Sequence, residues 1–299
     1  MSKETIERVT TADARFWTAR TGRGPPLVWC HGGPGLWDYL GPVAAMTDDL
    51  VTSYRYDQRG CGRSSGAGPH TLARNVFDLK TLARHWGLDR FILAGHSWGA
   101  ELALHYALEY PEQVAGLVYL SGSGIDPIFR AEYRVERARR LGPGGESKRK
   151  ALEAAWLSEG TLEAERRYYE VQWSTDFADS ATAVEHSRSL IVGDLRVNRR
   201  INTELNADAA RVTLHTSMPM KLRSLRVRAV VIHGSQDPRP AGAAAQVADL
   251  LPQGQLALIP GAGHCLWIEA PALLRNTLRE NIQLMLHGRP GNWPARPSR

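Results

Sequence analysis

The chain has 299 residues, of which 43% are hydrophobic and 23% are charged, proportions that are ordinary for a folded enzyme with one large domain. No stretch approaches the roughly 20 apolar residues of a transmembrane helix, so we expect no membrane partner. The net charge of +6 comes mostly from arginines spread along the chain, and we interpret the clusters at 137–140 and 148–150 as solvated helix faces rather than a nucleic-acid site.

The N-terminal residues are polar and mixed in charge, without the apolar segment of a secretory signal, which predicts a cytoplasmic protein. Three cysteines, Cys30, Cys61 and Cys265, are too few and too scattered for a disulfide framework and lack metal-ligand spacing. We therefore expect neither a metal nor another cofactor.

The first quarter of the chain predicts strands that end in glycine-rich loops. Residues up to about 24 indicate one or two antiparallel strands with a glycine turn. Residues 26–30 form an apolar run that stops at His-Gly-Gly-Pro-Gly (31–35), and residues 51–56 form another that stops at 57–64. An amphipathic helix is predicted for 71–86.

The alternation continues with a strand at 90–94, a helix at 100–108 and a strand at 114–120. It resumes after a long interruption with a strand at 226–233, a helix at 241–251, a strand at 255–259 and a helix at 270–286. This order predicts an α/β fold, with a mostly parallel central sheet and helices on both faces.

The interruption predicts a second structural unit. Residues 126–221 have little strand signal and many charged and aromatic residues, and we interpret them as an inserted helical cap. The core then comprises 1–125 and 222–287. Residues 288–299, rich in proline, glycine and arginine, are predicted to be a flexible tail.

Ser97 lies in the sequence Gly95-His-Ser-Trp-Gly99, between a buried strand and a helix. The Gly-x-Ser-x-Gly pattern is typical of a nucleophile elbow, in which a strained turn projects the serine hydroxyl away from the sheet. Small residues on either side of the serine let the strand and the helix approach. The pattern therefore predicts Ser97 as a nucleophile.

A serine nucleophile needs a base and an acid that orients the base. Asp237 follows the strand 226–233, and His264 follows the strand 255–259 in Gly-Ala-Gly-His. Serine, acid and histidine in this order, each after a strand, predict the triad Ser97, Asp237 and His264.

Other residues near strand ends compete for these roles. Asp126 is the alternative acid, and His31, His96 and His233 also follow strands. We expect His31 to form a structural hydrogen bond and His96 to point away from Ser97. Cys265 could pair with His264 as a nucleophile, but a packed, unreactive thiol is the simpler interpretation.

The oxyanion of an acyl-transfer intermediate needs preorganised donors. The backbone N–H of Trp98, directly after the nucleophile, is one candidate. The other is the N–H of Gly33, in the glycine loop after residues 26–30.

The motifs at 31–35, 57–64, 95–99 and 261–264 together resemble the proline iminopeptidase (prolyl aminopeptidase) family of α/β hydrolases over residues 25–125 and 226–287. The resemblance implies a cap over the active site, release of N-terminal residues from peptides, and no metal. It assigns the family's serine, tryptophan, acid and histidine to Ser97, Trp98, Asp237 and His264.

The resemblance also implies cap glutamates that hold the free amine of the substrate. Glu170 and Glu204 are the candidates here, although a glutamate in a solvated helix face explains each equally well. Tyr169 and Trp173 either line an apolar substrate pocket or pack the cap onto the core.

The sequence thus predicts a serine hydrolase that acts on a small peptide or another small molecule. The first hypothesis is an aminopeptidase releasing N-terminal proline or other small apolar residues. The second is an esterase, lactonase or amidase acting on a non-peptide metabolite. A non-catalytic binding protein with this fold is a remote alternative. The oligomeric state is left open.

Overall fold

A computed structural model describes residues 3–287 of the chain, so the predicted tail at 288–299 lies outside the described residues. The strands are β1 (Thr5–Thr10), β2 (Ala14–Gly22), β3 (Pro26–Cys30), β4 (Thr52–Tyr56), β5 (Ser65–Gly66), β6 (Phe91–His96), β7 (Val114–Leu120), β8 (Ala229–Gly234) and β9 (Gly254–Ile259). The helices are α1 (Gly41–Ala44), α2 (Leu72–His85), α3 (Trp98–Glu109), α4 (Pro127–Leu141), α5 (Gly145–Glu159), α6 (Leu162–Ser174), α7 (Ala183–Ser189), α8 (Arg199–Thr213), α9 (Met218–Ser224), α10 (Ala241–Leu250), α11 (Leu266–Glu269) and α12 (Pro271–His287), with short 3₁₀ turns at Ala45–Thr47 and Pro111–Gln113.

The strands form one mixed sheet in the order β1-β2-β4-β3-β6-β7-β8-β9, with β5 paired to β2. Strand β2 pairs antiparallel with β1, β4 and β5. The remaining neighbours in the sheet, β4-β3-β6-β7-β8-β9, all pair in parallel. The carboxyl ends of β6, β8 and β9 therefore point to the same edge of the sheet, and in open α/β sheets this is the edge where ligands bind.

Both faces of the parallel part are buried. Successive residues of β3 alternate between two hydrophobic clusters, with Leu27 and Trp29 in one and Val28 and Cys30 in the other. Helices α2, α3 and α10 contribute to the second cluster, whereas α1, α11 and α12 contribute to the first. Because both faces are covered, the central strands β3, β6, β7 and β8 are mostly apolar rather than alternating, whereas β4 and the edge strand β9 are not. The predicted α/β fold is confirmed.

Six helices, α4 to α9, lie between β7 and β8, in the segment 126–221 predicted as a cap. Trp156 and Tyr168 form a small separate cluster between α5 and α6. The C-terminal end of the segment packs into the core, because Met218 and Leu222 of α9 belong to the hydrophobic cluster that contains Val28 and Cys30 of β3. The expected boundary at 221 thus falls inside α9.

None of the helices within residues 3–287 combines the length and the apolar character needed to cross a membrane. The two arginine-rich clusters are not uniform solvated faces. Arg139 is exposed, but Arg140 donates to the carbonyls of Thr175, Phe177 and Gln236. Arg149 is buried, bonded to neighbouring glutamates. The interpretation as solvated faces is wrong for these two arginines, because helix packing turns them inward.

Candidate active site

Ser97 lies in a strained turn between β6 and α3. Its φ of 57° and ψ of −124° are in a region that L-residues rarely adopt. A Cβ atom on Gly95 would lie 2.0 Å from the Gly99 carbonyl oxygen, and one on Gly99 would lie 2.1 Å from that of Cys30. Both glycines are therefore required for the strand and helix to approach as they do. The helix α3 begins at Trp98, directly after the serine, two residues earlier than predicted.

Asp237 and His264 meet at the carboxyl ends of β8 and β9. The Nδ1–H of His264 donates to Asp237 Oδ2 over 2.6 Å, and both residues are buried. Burial alone would raise the pKa of Asp237, but the charges of His264, His233 and Arg239 lower it well below its usual range. The carboxyl group is thus ionised and accepts the Nδ1–H of the imidazole, which leaves Nε2 as the ring nitrogen of His264 that can act as a base.

Ser97 and His264 line the same cavity of about 550 Å³, between the sheet edge and the helices α4, α6 and α8. Gly33, Trp98, Tyr169 and Trp173 line it as well. The Ser97 hydroxyl makes no hydrogen bond to the described chain, His264 included. Contacts of this kind are often long without substrate and shorten when substrate binds.

The two candidate oxyanion donors border this cavity. Trp98 is the first residue of α3, so its N–H has no acceptor within the helix. Gly33 has a φ of 131°, which favours glycine. The neighbouring Gly32 is packed so closely that a Cβ atom there would lie 2.9 Å from Cβ of Ser97. The glycine loop therefore lies directly against the elbow.

A chain of hydrogen bonds connects this loop to the elbow and to His264. The Gly32 N–H donates to the Tyr39 hydroxyl over 2.9 Å, and that hydroxyl lies 2.7 Å from His96 Nδ1. His96 Nε2 lies 3.1 Å from the His264 carbonyl oxygen and must donate to it. Tyr39 then donates to Nδ1, and His96 is neutral. Burial holds the pKa of His96 well below its usual value, in agreement with this assignment.

The helix α8 holds the other side of the glycine loop. The backbone N–H of Asn198 donates to the Gly35 carbonyl over 2.8 Å, and the Asn202 side chain donates to the Pro34 carbonyl over 2.7 Å. The segment between β7 and β8 thus fixes the loop from outside the sheet.

A second contact joins the same segment to His264. The His264 N–H donates to the Asp176 carbonyl over 2.7 Å, and the Asp176 carboxylate pairs with Arg239 at 2.8 Å. Arg239 also lies 3.3 Å from Asp237. Glu269 accepts from the backbone N–H groups of Ala178 and Gly263, each over 2.7 Å.

Sequence reasoning missed Tyr39, Asp176, Arg239 and Glu269. Arg239 stands two residues after Asp237, a signal that could have suggested it. The other three carry no local pattern, since their roles depend on contacts between segments far apart in the chain.

The competing residues are engaged elsewhere. His31 bonds to Gln58 through Nε2 and to the Gly32 carbonyl through Nδ1. His233 Nε2 bonds to the Arg239 carbonyl over 2.9 Å. Asp126 caps α4 by accepting from the Ile128 N–H. Cys265 reaches the cavity, but burial raises the pKa of its thiol well above its usual value, which keeps it in the unreactive protonated form.

The two candidate amine-binding glutamates do not line the cavity. Glu170 pairs with Arg188 at 3.0 Å, and Glu204 pairs with Arg200 at 2.7 Å on the outer surface of α8. Tyr169 and Trp173 do line it, and they pack against each other with ring centroids 4.7 Å apart. Within residues 3–287, no group of three or more His, Cys, Asp or Glu side chains is arranged to hold a metal ion.

Comparison with known proteins shows the family to which the chain belongs. A family model described as "Alpha/beta hydrolase family" matches residues 27–277. A proline iminopeptidase of Saccharolobus solfataricus is 38% identical over 125 residues, covering 40% of this chain, and the chain spans only 39% of that protein's length. A proline iminopeptidase of Xylella fastidiosa is 28% identical over 280 residues, 81% of this chain and 83% of the relative.

The solved structure of a Mycobacterium smegmatis proline iminopeptidase superposes with a TM-score of 0.68 at 19% identity, covering 94% of this chain and 99% of that one. At such identity the likeness shows the fold alone. The resemblance to proline iminopeptidases that the motifs predict is confirmed by the sequence relatives. The chain belongs to the alpha/beta hydrolase family.

Proposed function

We propose that the chain is a serine hydrolase in which Ser97 forms an acyl-enzyme, His264 transfers protons, and Asp237 orients His264. The observation that carries the proposal is the strained elbow at Ser97 on the same cavity as the buried His264–Asp237 pair. Strain of this kind costs about 1–3 kcal/mol and persists where the surroundings enforce it. A serine without a chemical role would not require it.

The reaction follows from these positions. His264 Nε2 accepts the hydroxyl proton as Ser97 Oγ attacks the substrate carbonyl carbon, and the N–H groups of Gly33 and Trp98 donate to the oxyanion that forms. His264 then gives the proton to the leaving amine or alcohol as its bond to carbon breaks. Water, deprotonated by His264, attacks the acyl-Ser97 ester and releases the acid with free Ser97.

As the specific activity, we propose an aminopeptidase that releases proline or another small apolar residue from a peptide. The support is the set of proline iminopeptidases to which the chain is similar in sequence. The test is turnover of prolyl- and alanyl-arylamides beside simple aryl esters. Ser97→Ala should abolish turnover of both. Ester turnover without any arylamide turnover would contradict the aminopeptidase and leave the serine hydrolase standing.

A second candidate is an esterase, lactonase or amidase acting on a non-peptide small molecule. One observation favours it. The carboxylates that line the cavity, Glu101 and Asp176, are each paired with an arginine, and the predicted amine-binding glutamates lie elsewhere. The described part of the cavity therefore offers no unpaired carboxylate for a free α-amine. The same panel of substrates decides between the two candidates.

A further inference from the structure

The cavity over Ser97 has an excess of positive charge. Its charged lining within the described chain comprises five arginines and two carboxylates: Arg130, Arg134, Arg137, Arg149 and Arg239 against Glu101 and Asp176. An aminopeptidase that held a cationic amine would be expected to have the opposite balance, because a partly enclosed cavity screens charge less than water does.

The two carboxylates do not neutralise this excess. Asp176 is paired with Arg239 at 2.8 Å, and Glu101 is paired with Arg130 at 3.3 Å. Burial raises the pKa of Glu101 to about 7, so near neutral pH its negative charge is only partly present. Arg149 is neutralised by glutamates of its own helix, outside the cavity.

Arg134 and Arg137 remain without an ion pair to any carboxylate of residues 3–287. With Arg130 they stand at positions i, i+4 and i+7 of α4, so all three are on one face of the helix. Arg137 Nε is buried and has no hydrogen-bond acceptor in the described chain. Burying a charged donor without an acceptor is unfavourable, and a ligand that supplies one removes the penalty.

The aromatic ring beside them adds a planar surface. Tyr133 lies with its ring centroid 5.9 Å from the Arg137 guanidinium and 4.5 Å from that of Arg239. Arg239 in turn contacts Asp237. The arginines that line the cavity therefore extend from α4 to the proposed catalytic acid.

We propose that the substrate carries a carboxylate, which Arg134 and Arg137 bind while Ser97 attacks an acyl carbon of the same molecule. This inference rests on the proposed function of Ser97. Guanidinium groups bind carboxylates through paired N–H donors, which gives both affinity and orientation. The carboxylate belongs either to the acyl part, as in a dicarboxylic half-ester, or to the leaving part, as in the C-terminus of a dipeptide.

Two matched substrate pairs test the proposal and separate these sources. The first pair is 4-nitrophenyl hydrogen adipate and 4-nitrophenyl hexanoate, and the second is prolylglycine and prolylglycinamide. At low salt we expect the member that carries the carboxylate to have the higher kcat/KM in one of the two pairs, by about tenfold or more. Added salt should reduce that preference.

The variant Arg134→Gln/Arg137→Gln should lose the preference and keep turnover of the member without the carboxylate. Arg139→Gln is the matched control, because this arginine is on the same helix, is exposed, and does not line the cavity. Equal turnover of the members with and without the carboxylate in both pairs, or a preference that survives in the double variant, would overturn the proposal while leaving the serine hydrolase intact.

Binding of adipate to Ser97→Ala, measured by calorimetry, tests the site without turnover. We expect binding that the double substitution weakens by about tenfold and that Arg139→Gln leaves unchanged. Absence of binding, or binding insensitive to the double substitution, would overturn the carboxylate site. If the wild-type protein turned over none of the four substrates and Ser97 were also unreactive, the proposed function would fail separately.

Discussion

Glu101 provides a prediction of how the stability of the protein depends on pH. Its side chain is only 2% exposed, in the first turn of α3, and contacts Arg130 at 3.3 Å. The second carboxylate oxygen is buried without a hydrogen-bond partner. Burial therefore raises the pKa from 4.5 to about 7, with Arg130 opposing the change. We expect Glu101→Gln to stabilise the protein at alkaline pH.

The magnitude follows from linkage between protonation and folding. A group whose pKa is raised by folding stabilises the folded state below its unfolded pKa, and this contribution is lost as pH rises through the folded value. Because folding raises the pKa of Glu101 from 4.5 to about 7, the free energy of unfolding is about 3 kcal/mol lower at a pH above both pKa values than at a pH below both. Most of this loss, about 2 kcal/mol, falls between pH 5 and pH 8.

Urea unfolding of the wild-type protein and the variant at pH 5 and pH 8 measures this contribution. The difference in unfolding free energy between them should change by about 2 kcal/mol in favour of the variant as pH rises. Glu109→Gln, an exposed position on the same helix, is the control and should show no such change. Equal differences at the two pH values would refute the reasoning.

Three further substitutions test the packing around Ser97. Gly99→Ala places a Cβ 2.1 Å from the Cys30 carbonyl oxygen and should lower the unfolding free energy by about 3 kcal/mol or more. Gly242→Ala is its control, because the nearest contact of a Cβ there is at 3.4 Å, and it should leave Tm nearly unchanged. Tyr39→Phe leaves the Gly32 N–H and His96 Nδ1 without a hydrogen-bond partner and should lower the unfolding free energy by about 1–3 kcal/mol. It should also lower kcat rather than raise KM. An unchanged kcat would contradict the role of Tyr39 in positioning the site. Glu269→Gln removes a charged acceptor for two N–H groups next to His264 and should lower both Tm and kcat; unaltered thermal unfolding would count against it.

The sheet could be predicted from the sequence because its strands and the turn after β6 depend on local signals. Buried parallel strands are continuous apolar runs, and Gly95 and Gly99 occur where a side chain would collide with the backbone. The predicted ends of β8 and β9 lie within a few residues of the observed ends, and Asp237 and His264 lie in the loops that follow these strands.

The cavity lining between β7 and β8 could not be predicted in the same way. α4 contains no buried residue, and its apolar side chains Ile128 and Val135 are exposed, so its apolar positions do not show which face meets the cavity. The inward position of Arg137 depends on how α4 packs above the sheet. The resemblance implies an amine-binding glutamate in the cap, but Glu170, one of the two candidates, pairs with Arg188 of another helix outside the cavity.

The central claim is that His264 and Asp237 activate Ser97. Reaction with a fluorophosphonate probe, followed by peptide mapping with mass spectrometry, tests it without knowledge of the substrate. The account predicts one adduct on Ser97 in the wild-type protein, much slower labelling in His264→Ala, and none in Ser97→Ala. An adduct on another residue, or labelling at the wild-type rate in His264→Ala, would contradict it.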